Sequence, residues 1–306
     1  MYDLIIIGAG PAGLGASIYA SRYKLNHLVL GAEIGGQVTE AWEIENYAGI
    51  ESISGKDLME KFRKQTQDLG GTIVEVSVNK INKTAEGFEI FSEDGKKYEA
   101  KTIIFALGMK PRKLNIPGEN KFLGKGISYC ATCDAMFFRG KDVVVIGGGD
   151  AAATAAIHLA EFANSVQLLY KEGTKIFEPA WEVEIAKTGK ITMDAFEKIN
   201  EVLGQEKVAG LVYEKANQEK KEIAIQGVFI EIGSVPGVVI AKELGVETDE
   251  QGYIVVGQDQ STAIENVFAA GDVTTGSNKF RQIITAVAEG AVAAGSVYKK
   301  LKLVKK

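Results

Sequence analysis

Cysteine, histidine, tryptophan and proline are all scarce in this chain of 306 residues, which carries two, two, two and five of them. Two cysteines cannot staple a secreted scaffold, so a reducing, cytoplasmic setting is expected. A structural zinc needs about four ligands, and beyond the cysteines only His27 and His158 are soft donors, both remote in sequence. The two histidines are therefore assigned to structure, and no metal is expected. No apolar run approaches the ~20 residues that cross a bilayer. The apolar Leu4-Ile5-Ile6-Ile7 lacks a preceding basic segment and runs straight into glycines, so it reads as a buried strand and not a secretion signal. A strong field of one sign is missing too. The net charge of −5 gives nucleic acid nothing to bind. The basic end, Lys299-Lys300-Leu301-Lys302 with Lys305-Lys306, reads as a solvated helix terminus and not as a membrane tether.

What is present is concentrated. Both cysteines fall in one Cys-x-x-Cys, Cys130 and Cys133, and that pair lies between two glycine-rich strand-then-helix fingerprints at 4–16 and 143–156. With zinc disfavoured, a lone vicinal dithiol between two dinucleotide-type folds points to electron-pair transfer into or out of a disulfide. The length suggests two domains at ~100–200 residues each. Strands and helices alternate along most of the chain, which predicts parallel sheets covered by helices on both faces. Expected strands include 3–7, 27–30, 72–78, 88–92, 97–99, 101–106, 143–146, 165–170 and 266–270, with helices near 56–69 and 282–298. Asp94-Gly95 reads as a two-residue hairpin. The prolines at 111 and 117 and the Ser234-Val235-Pro236-Gly237 breakpoint read as linkers. The expected fold is therefore α/β: two Rossmann-like, three-layer dinucleotide-binding domains, the second inserted into the first. The boundaries are 1–113 and 242–306 for the first domain, 114–241 for the second.

The first fingerprint is Gly8-Ala9-Gly10-Pro11-Ala12-Gly13. Gly8 allows the tight turn, Gly10 admits a pyrophosphate, and Gly13 lets the helix pack on its strand. The phosphates then face free N–H groups at a helix N-terminus. Glu33, beyond the second strand, is placed to accept from a ribose hydroxyl. The second copy is Gly147-x-Gly149-x-x-Ala152, with Glu172 in the corresponding acidic position. An acid there suits a free 2′-hydroxyl and repels a 2′-phosphate. Lys171 and Lys175 are nearby point charges without the arginine fork. Trp42 and Trp181 are assigned to core or rim packing.

Four further segments carry a resemblance to the low-molecular-weight thioredoxin reductases across almost the whole length. They are Cys130-Ala131-Thr132-Cys133-Asp134, the loops Gly35-Gly36-Gln37 and Glu45-Asn46-Tyr47-Ala48-Gly49, the strand end Phe268-Ala269-Ala270-Gly271-Asp272, and Arg281-Gln282-Ile283. The resemblance implies an FAD-dependent thioredoxin-disulfide reductase, a homodimer, and a dithiol-bearing NAD(P)-type domain that swivels. FAD would be held by Gly8, Gly10, Pro11, Ala12, Gly13, Glu33, Gly36, Gln37, Asn46, Gly271, Asp272, Arg281, Gln282 and Ile283. It also implies that Cys133 is the flavin-proximal sulfur, Cys130 its partner, and Asp134 the proton donor, on a helix expected to begin around Asp134-Ala135-Met136-Phe137-Phe138. Which thiol attacks the partner, a thioredoxin-like protein, stays open.

The departures fall at the second nucleotide site. The family's His-Arg-Arg run is replaced by Tyr170-Lys171-Glu172-Gly173-Thr174-Lys175, and Ala151, Thr154 and Ala155 replace its polar residues. NADPH is thereby disfavoured as electron donor, with ferredoxin ranked above NADH and both above NADPH. The rival reading is a non-catalytic flavoprotein that binds a partner in a redox-dependent way; the intact dithiol argues against it.

Overall fold

The structure, a computed structural model, describes residues 1–41 and 44–303. It divides into two compact units, Met1–Lys110 with Val235–Lys306, and Pro111–Ser234. The expected boundaries, 113/114 and 241/242, lie later on both crossovers. The breaks fall inside two short strands, Met109–Pro111 and Ser234–Pro236, which pair with one another. Their outer ends are closed by Gly237 N–H donating to Gly108 O in the first unit and Arg112 N–H donating to Gly233 O in the second. Pro111 and Pro236 each end a paired strand and are not linkers, since a proline's missing donor is harmless at an edge.

In the first unit the parallel core of the sheet runs in the order 72–75, 27–31, 2–7 and 97–105, with strand Val267–Ala269 also paired to the last. Its central strands bury residues 4–7 and 27–31, nearly all of them apolar, as a sheet covered on both faces requires. Two segments read as separate strands are one: Lys97–Phe105 pairs antiparallel with Phe88–Ser92 through its first half, then parallel through its second. Lys101 is polar and exposed at the changeover, which broke the apolar pattern. Conversely, the expected strand 72–78 splits into Thr72–Glu75 and Val78–Lys83. The Asp94-Gly95 hairpin is a four-residue loop: Ser92 N–H donates to Lys96 O, and the Asp94 carboxylate accepts from the Ser92 hydroxyl.

The second unit holds a five-stranded parallel sheet in the order 191–196, 165–171, 142–146, 227–230 and 127–128, beside an antiparallel three-stranded sheet covering 198–224. Helix Pro179–Thr188 went unread because only Ile185 of its residues is buried. Trp181 is partly buried against the core, whereas Trp42 lies outside the described residues. Among the described residues no helix is long and apolar enough to cross a membrane.

The first helix (Pro11–Arg22) and the closing helix (Ile283–Leu303) meet through alanines and glycines. A Cβ at Gly290 would lie 2.1 Å from Ala12 O, and one at Gly15 would lie 3.1 Å from Val287 O. Small residues are required here because backbone meets backbone. Gly290→Ala is therefore expected to destabilise the protein by about 1–3 kcal/mol, the usual penalty of overpacking. Denaturant unfolding measures this, with Gly149→Ala as the control, since a Cβ at Gly149 meets nothing within 4 Å.

Candidate active site

The first fingerprint forms an open cradle. Gly8 has φ +118°, and a Cβ on it would lie 2.0 Å from Ala106 O; one on Gly13 would lie 1.8 Å from Gly8 O. Both positions demand glycine for contact within the fold. Gly10 differs, because a Cβ there would meet only Gly35 O at 3.9 Å, so its surface is free for a ligand. It is the N-cap of the first helix with no side-chain cap, and Pro11 occupies the first turn. The amides of that turn remain available to an anion. Gly35 and Gly36 both take positive φ, and a Cβ on Gly36 would come within 3.5 Å of Gly10 Cα, so this loop borders the same opening. Gln37 and Glu33 are exposed, Glu33 just beyond strand His27–Gly31.

Two distant segments close on this cradle. Gly271, with φ +83°, would place a Cβ 2.8 Å from the Ala12 Cβ, which brings the Gly271-Asp272 turn against the start of the first helix. The Asn46 amide donates to Gln282 Oε1 at 3.0 Å, tying the 44–50 loop to the segment before the closing helix. Asp272, Arg281, Thr285 and Glu289 line one cleft, and Ile283 begins the closing helix nearby. The site holds glycine-lined space at a helix N-terminus, an inward carboxylate and a guanidinium. That set fits a dinucleotide with a polyol chain, and Glu33 stands at its outer edge.

The dithiol belongs to the second unit. Cys130 and Cys133 form a disulfide with Cα atoms 5.3 Å apart. The short helix runs Ala131–Asp134, earlier than expected, because Cys130 is its N-cap: its Sγ accepts the Cys133 N–H at 3.1 Å. Asp134 therefore ends this helix and precedes a 3-10 turn at Ala135–Phe138. Ser128, two residues upstream, accepts the Cys130 N–H at 2.9 Å and fixes the approach to the cap. Cys133 is exposed and Cys130 half-buried, and exposed Met136 and Phe137 follow. Next to Cys130 in sequence, Tyr129 donates its hydroxyl to buried Glu119, which also accepts from the N–H groups of Leu114 and Asn115. Burial first, then this carboxylate, push the Tyr129 phenol well above its ordinary range. Sequence reasoning missed Ser128, Glu119 and Tyr129, although their nearness to the dithiol was a signal.

His27 is buried and bonded to Ser17 Oγ through Nε2 at 2.7 Å, and burial lowers the pKa of both His27 and His158. Among the described residues no His, Cys, Asp and Glu group is arranged to hold a metal.

A family model described as pyridine nucleotide-disulphide oxidoreductase matches residues 2–290. A thioredoxin reductase of Treponema pallidum is 40% identical over 296 residues, 96% of this chain and 95% of the relative. The chain belongs to the thioredoxin reductase family. A crystal structure of Lactococcus lactis thioredoxin reductase matches at TM-score 0.92 and 36% identity, covering 99% of this chain and 100% of that one. A ferredoxin-flavin thioredoxin reductase from Clostridium acetobutylicum matches at TM-score 0.53 and 33% identity, covering 99% and 98%.

The glycines of the second fingerprint are also closely packed. A Cβ on Gly147 would lie 2.2 Å from Glu231 O and one on Gly148 2.1 Å from Thr174 O, while Gly149 is open and Ala152 buried. Ile176 N–H donates to Gly148 O at 2.8 Å, so the segment after strand Ser165–Lys171 lies against the turn. Glu172 is exposed at the end of that strand. Its neighbouring cations are engaged elsewhere, Lys175 with Glu182 at 2.6 Å and Lys171 near Glu197 at 3.9 Å. The Thr154 hydroxyl donates back into its own helix, to Asp150 O or Ala151 O.

Electrostatics single out Asp272. Burial raises its pKa from the ordinary 3.8 to about 6, with Arg281 opposing the rise and Glu289 adding to it. An acid whose pKa rises on folding holds its proton more tightly in the native state. Its contribution to stability is fully present below pH 3.8 and is lost as pH rises through about 6. Asp272→Asn is therefore expected to stabilise the cofactor-free protein at pH 8 by up to about 3 kcal/mol, with the gain vanishing near pH 4. Urea unfolding of the apoprotein at the two pH values measures it.

Proposed function

We propose that this family member is a flavoenzyme that passes electron pairs from a donor, through FAD in the first unit and the Cys130–Cys133 dithiol in the second, to the disulfide of a thioredoxin-like protein. One observation carries the reading: the two cysteines form a disulfide capped onto a helix, its Cys133 side exposed, in a chain whose other unit keeps an open dinucleotide cradle. Bound FAD supplies a two-electron carrier that can exchange with a dithiol. The FAD domain comprises the segments on either side of the insertion, and the inserted unit carries the dithiol. The pyrophosphate is assigned to Gly8, Gly10, Pro11, Ala12 and Gly13, the adenosine ribose to Glu33, and the ribitol to Asp272 next to Gly271. Gly36, Gln37, Asn46, Arg281, Gln282 and Ile283 complete the flavin contacts.

The dithiol residues divide the remaining work. Two electrons and two protons cleave the disulfide to two thiols. One thiolate then attacks the partner disulfide, and its companion displaces the reduced partner to regenerate the Cys130–Cys133 bond. The Cys133 N–H directed at Cys130 Sγ favours negative charge on that sulfur. Asp134, whose N–H lies 3.3 Å from Cys130 O, is the carboxyl assigned to proton delivery. Exposed Met136 and Phe137 beside Cys133 supply apolar surface for a protein partner. The working form is assigned as a homodimer.

The purified protein should be yellow, with about one FAD per chain. Cys130→Ser and Cys133→Ser should each abolish thioredoxin reduction and keep the colour, since exchange requires both sulfurs. A variant that retains turnover would refute the dithiol route.

For the donor, ferredoxin ranks above NADH and both above NADPH. A 2′-phosphate ~4 Å from the Glu172 carboxylate would lose about fivefold in affinity even at the dielectric of bulk water. No arginine stands there to offset it. Anaerobic spectra with reduced ferredoxin, NADH and NADPH are expected to bleach the flavin in that order of rate. Rapid stoichiometric bleaching by micromolar NADPH would overturn the ranking.

A further inference from the structure

Beneath the Gly271-Asp272 turn lies a carboxylate that neither fingerprint accounts for. Glu289 on the closing helix is 6% exposed. Its Oε2 accepts the Gly271 N–H at 2.8 Å and the Thr274 hydroxyl at 2.9 Å. Thr274 Oγ1 in turn accepts the Gly276 N–H at 3.0 Å, so one side chain organises the turn from 271 to 276. A Cβ on Gly276 would lie 2.6 Å from Glu289 Oε1, so the loop also closes over the other oxygen. The helix bearing Glu289 has no freedom to retreat, because the next residue, Gly290, is in backbone contact with Ala12.

Charge makes this arrangement costly in a way that a structural tie would avoid. A buried carboxylate is unfavourable unless hydrogen-bonded, and a second carboxylate, Asp272, faces the same cleft. A neutral side chain could accept the same two hydrogen bonds without that repulsion. Arg281 faces Asp272 from the segment before the closing helix. Lys279, from the preceding turn, is held by Asp249 at 2.7 Å and Gln251 at 2.8 Å. From the first helix, Ala12 faces Gly271, and Ala12 and Ala16 face Gly290. Glu289 is thus the anion that opposes Arg281 at Asp272.

We propose that Glu289 is a positioning residue of the flavin site, fixing the Gly271-Asp272 turn against the first helix and strengthening Asp272 as acceptor of a ligand hydroxyl. The proposal rests on the assignment of Asp272 to the ribitol. As an anion beside Asp272, Glu289 raises the pH at which that carboxyl takes up its proton.

The test is FAD affinity of the apoprotein between pH 5 and 8, read by flavin fluorescence, for the native chain, Glu289→Ala, Glu289→Gln and Asp272→Asn. Glu289→Ala should weaken FAD binding by about tenfold or more at pH 7.5, the loss of hydrogen bonds to a charged acceptor. Glu289→Gln keeps an acceptor oxygen and should lose less than Glu289→Ala, while its fall in affinity at acid pH moves to lower pH. Asp272→Asn should weaken binding and abolish that acid dependence. Native-like affinity and pH profile in both Glu289 variants, with Asp272→Asn impaired, would overturn the role of Glu289 alone. Unimpaired binding by Asp272→Asn would instead overturn the ribitol assignment and the proposal with it. If Glu289→Ala does not fold, the acid profile of Glu289→Gln decides.

Discussion

Backbone lies against backbone at the start of the first helix, and the rest of the first unit is arranged around that contact. Gly13 sits on Gly8 O, Gly8 on Ala106 O, Gly290 on Ala12 O, and Gly271 against Ala12. Each removes a side chain from between two elements, so a strand, two helices and a returning turn share one thin layer. The layer leaves the first-turn amides uncapped and facing outward. An unpaired amide is tolerable there because an anion can supply its acceptor. The site is thus what remains when the fold packs everything else as closely as glycine permits.

The second fingerprint shows that the same motif need not yield the same site. Its glycines also make close contacts, at Glu231 O and Thr174 O, and its helix also begins without a side-chain cap. What differs is the segment that follows the next strand. There Ile176 N–H reaches Gly148 O, and Glu172 stands with its neighbouring lysines bound to other carboxylates. Residues 170–175 at that corner include no arginine. The glycine pattern specifies the turn and leaves the charges beside it to other segments.

Legibility followed burial and periodicity. Strand 2–7, strand 27–31 and both fingerprints were readable because their apolar runs are short, continuous and bounded by glycine. The doubly wound α/β architecture followed from them. Strand Lys97–Phe105 was cut in two because it changes partners midway, and local pattern cannot report a change of partner. Helix Pro179–Thr188 was missed because it buries little, leaving no apolar stripe to read. The dithiol was evident, but its cap was not: that Cys130 accepts the Cys133 amide depends on backbone dihedrals the motif does not encode. Glu289 had a sequence signal that went unused. It falls between Ala286 and Ala293 at the spacing of the buried face, where a charge is out of place unless something binds it.

That misplaced charge and the capped cysteine express one principle in the two units. In each unit, a residue assigned to the site lies beside a main-chain amide that a side chain accepts from. At the dithiol, the Cys133 amide donates to Cys130 Sγ through the first turn of the short helix. At the Gly271-Asp272 turn, the Gly271 amide is taken by Glu289. Amides are well suited to such contacts because they cannot ionise, so the donor stays constant while the groups beside it gain and lose protons. Side-chain substitutions around such amides should therefore act through geometry first and through charge second, and pH dependence separates the two.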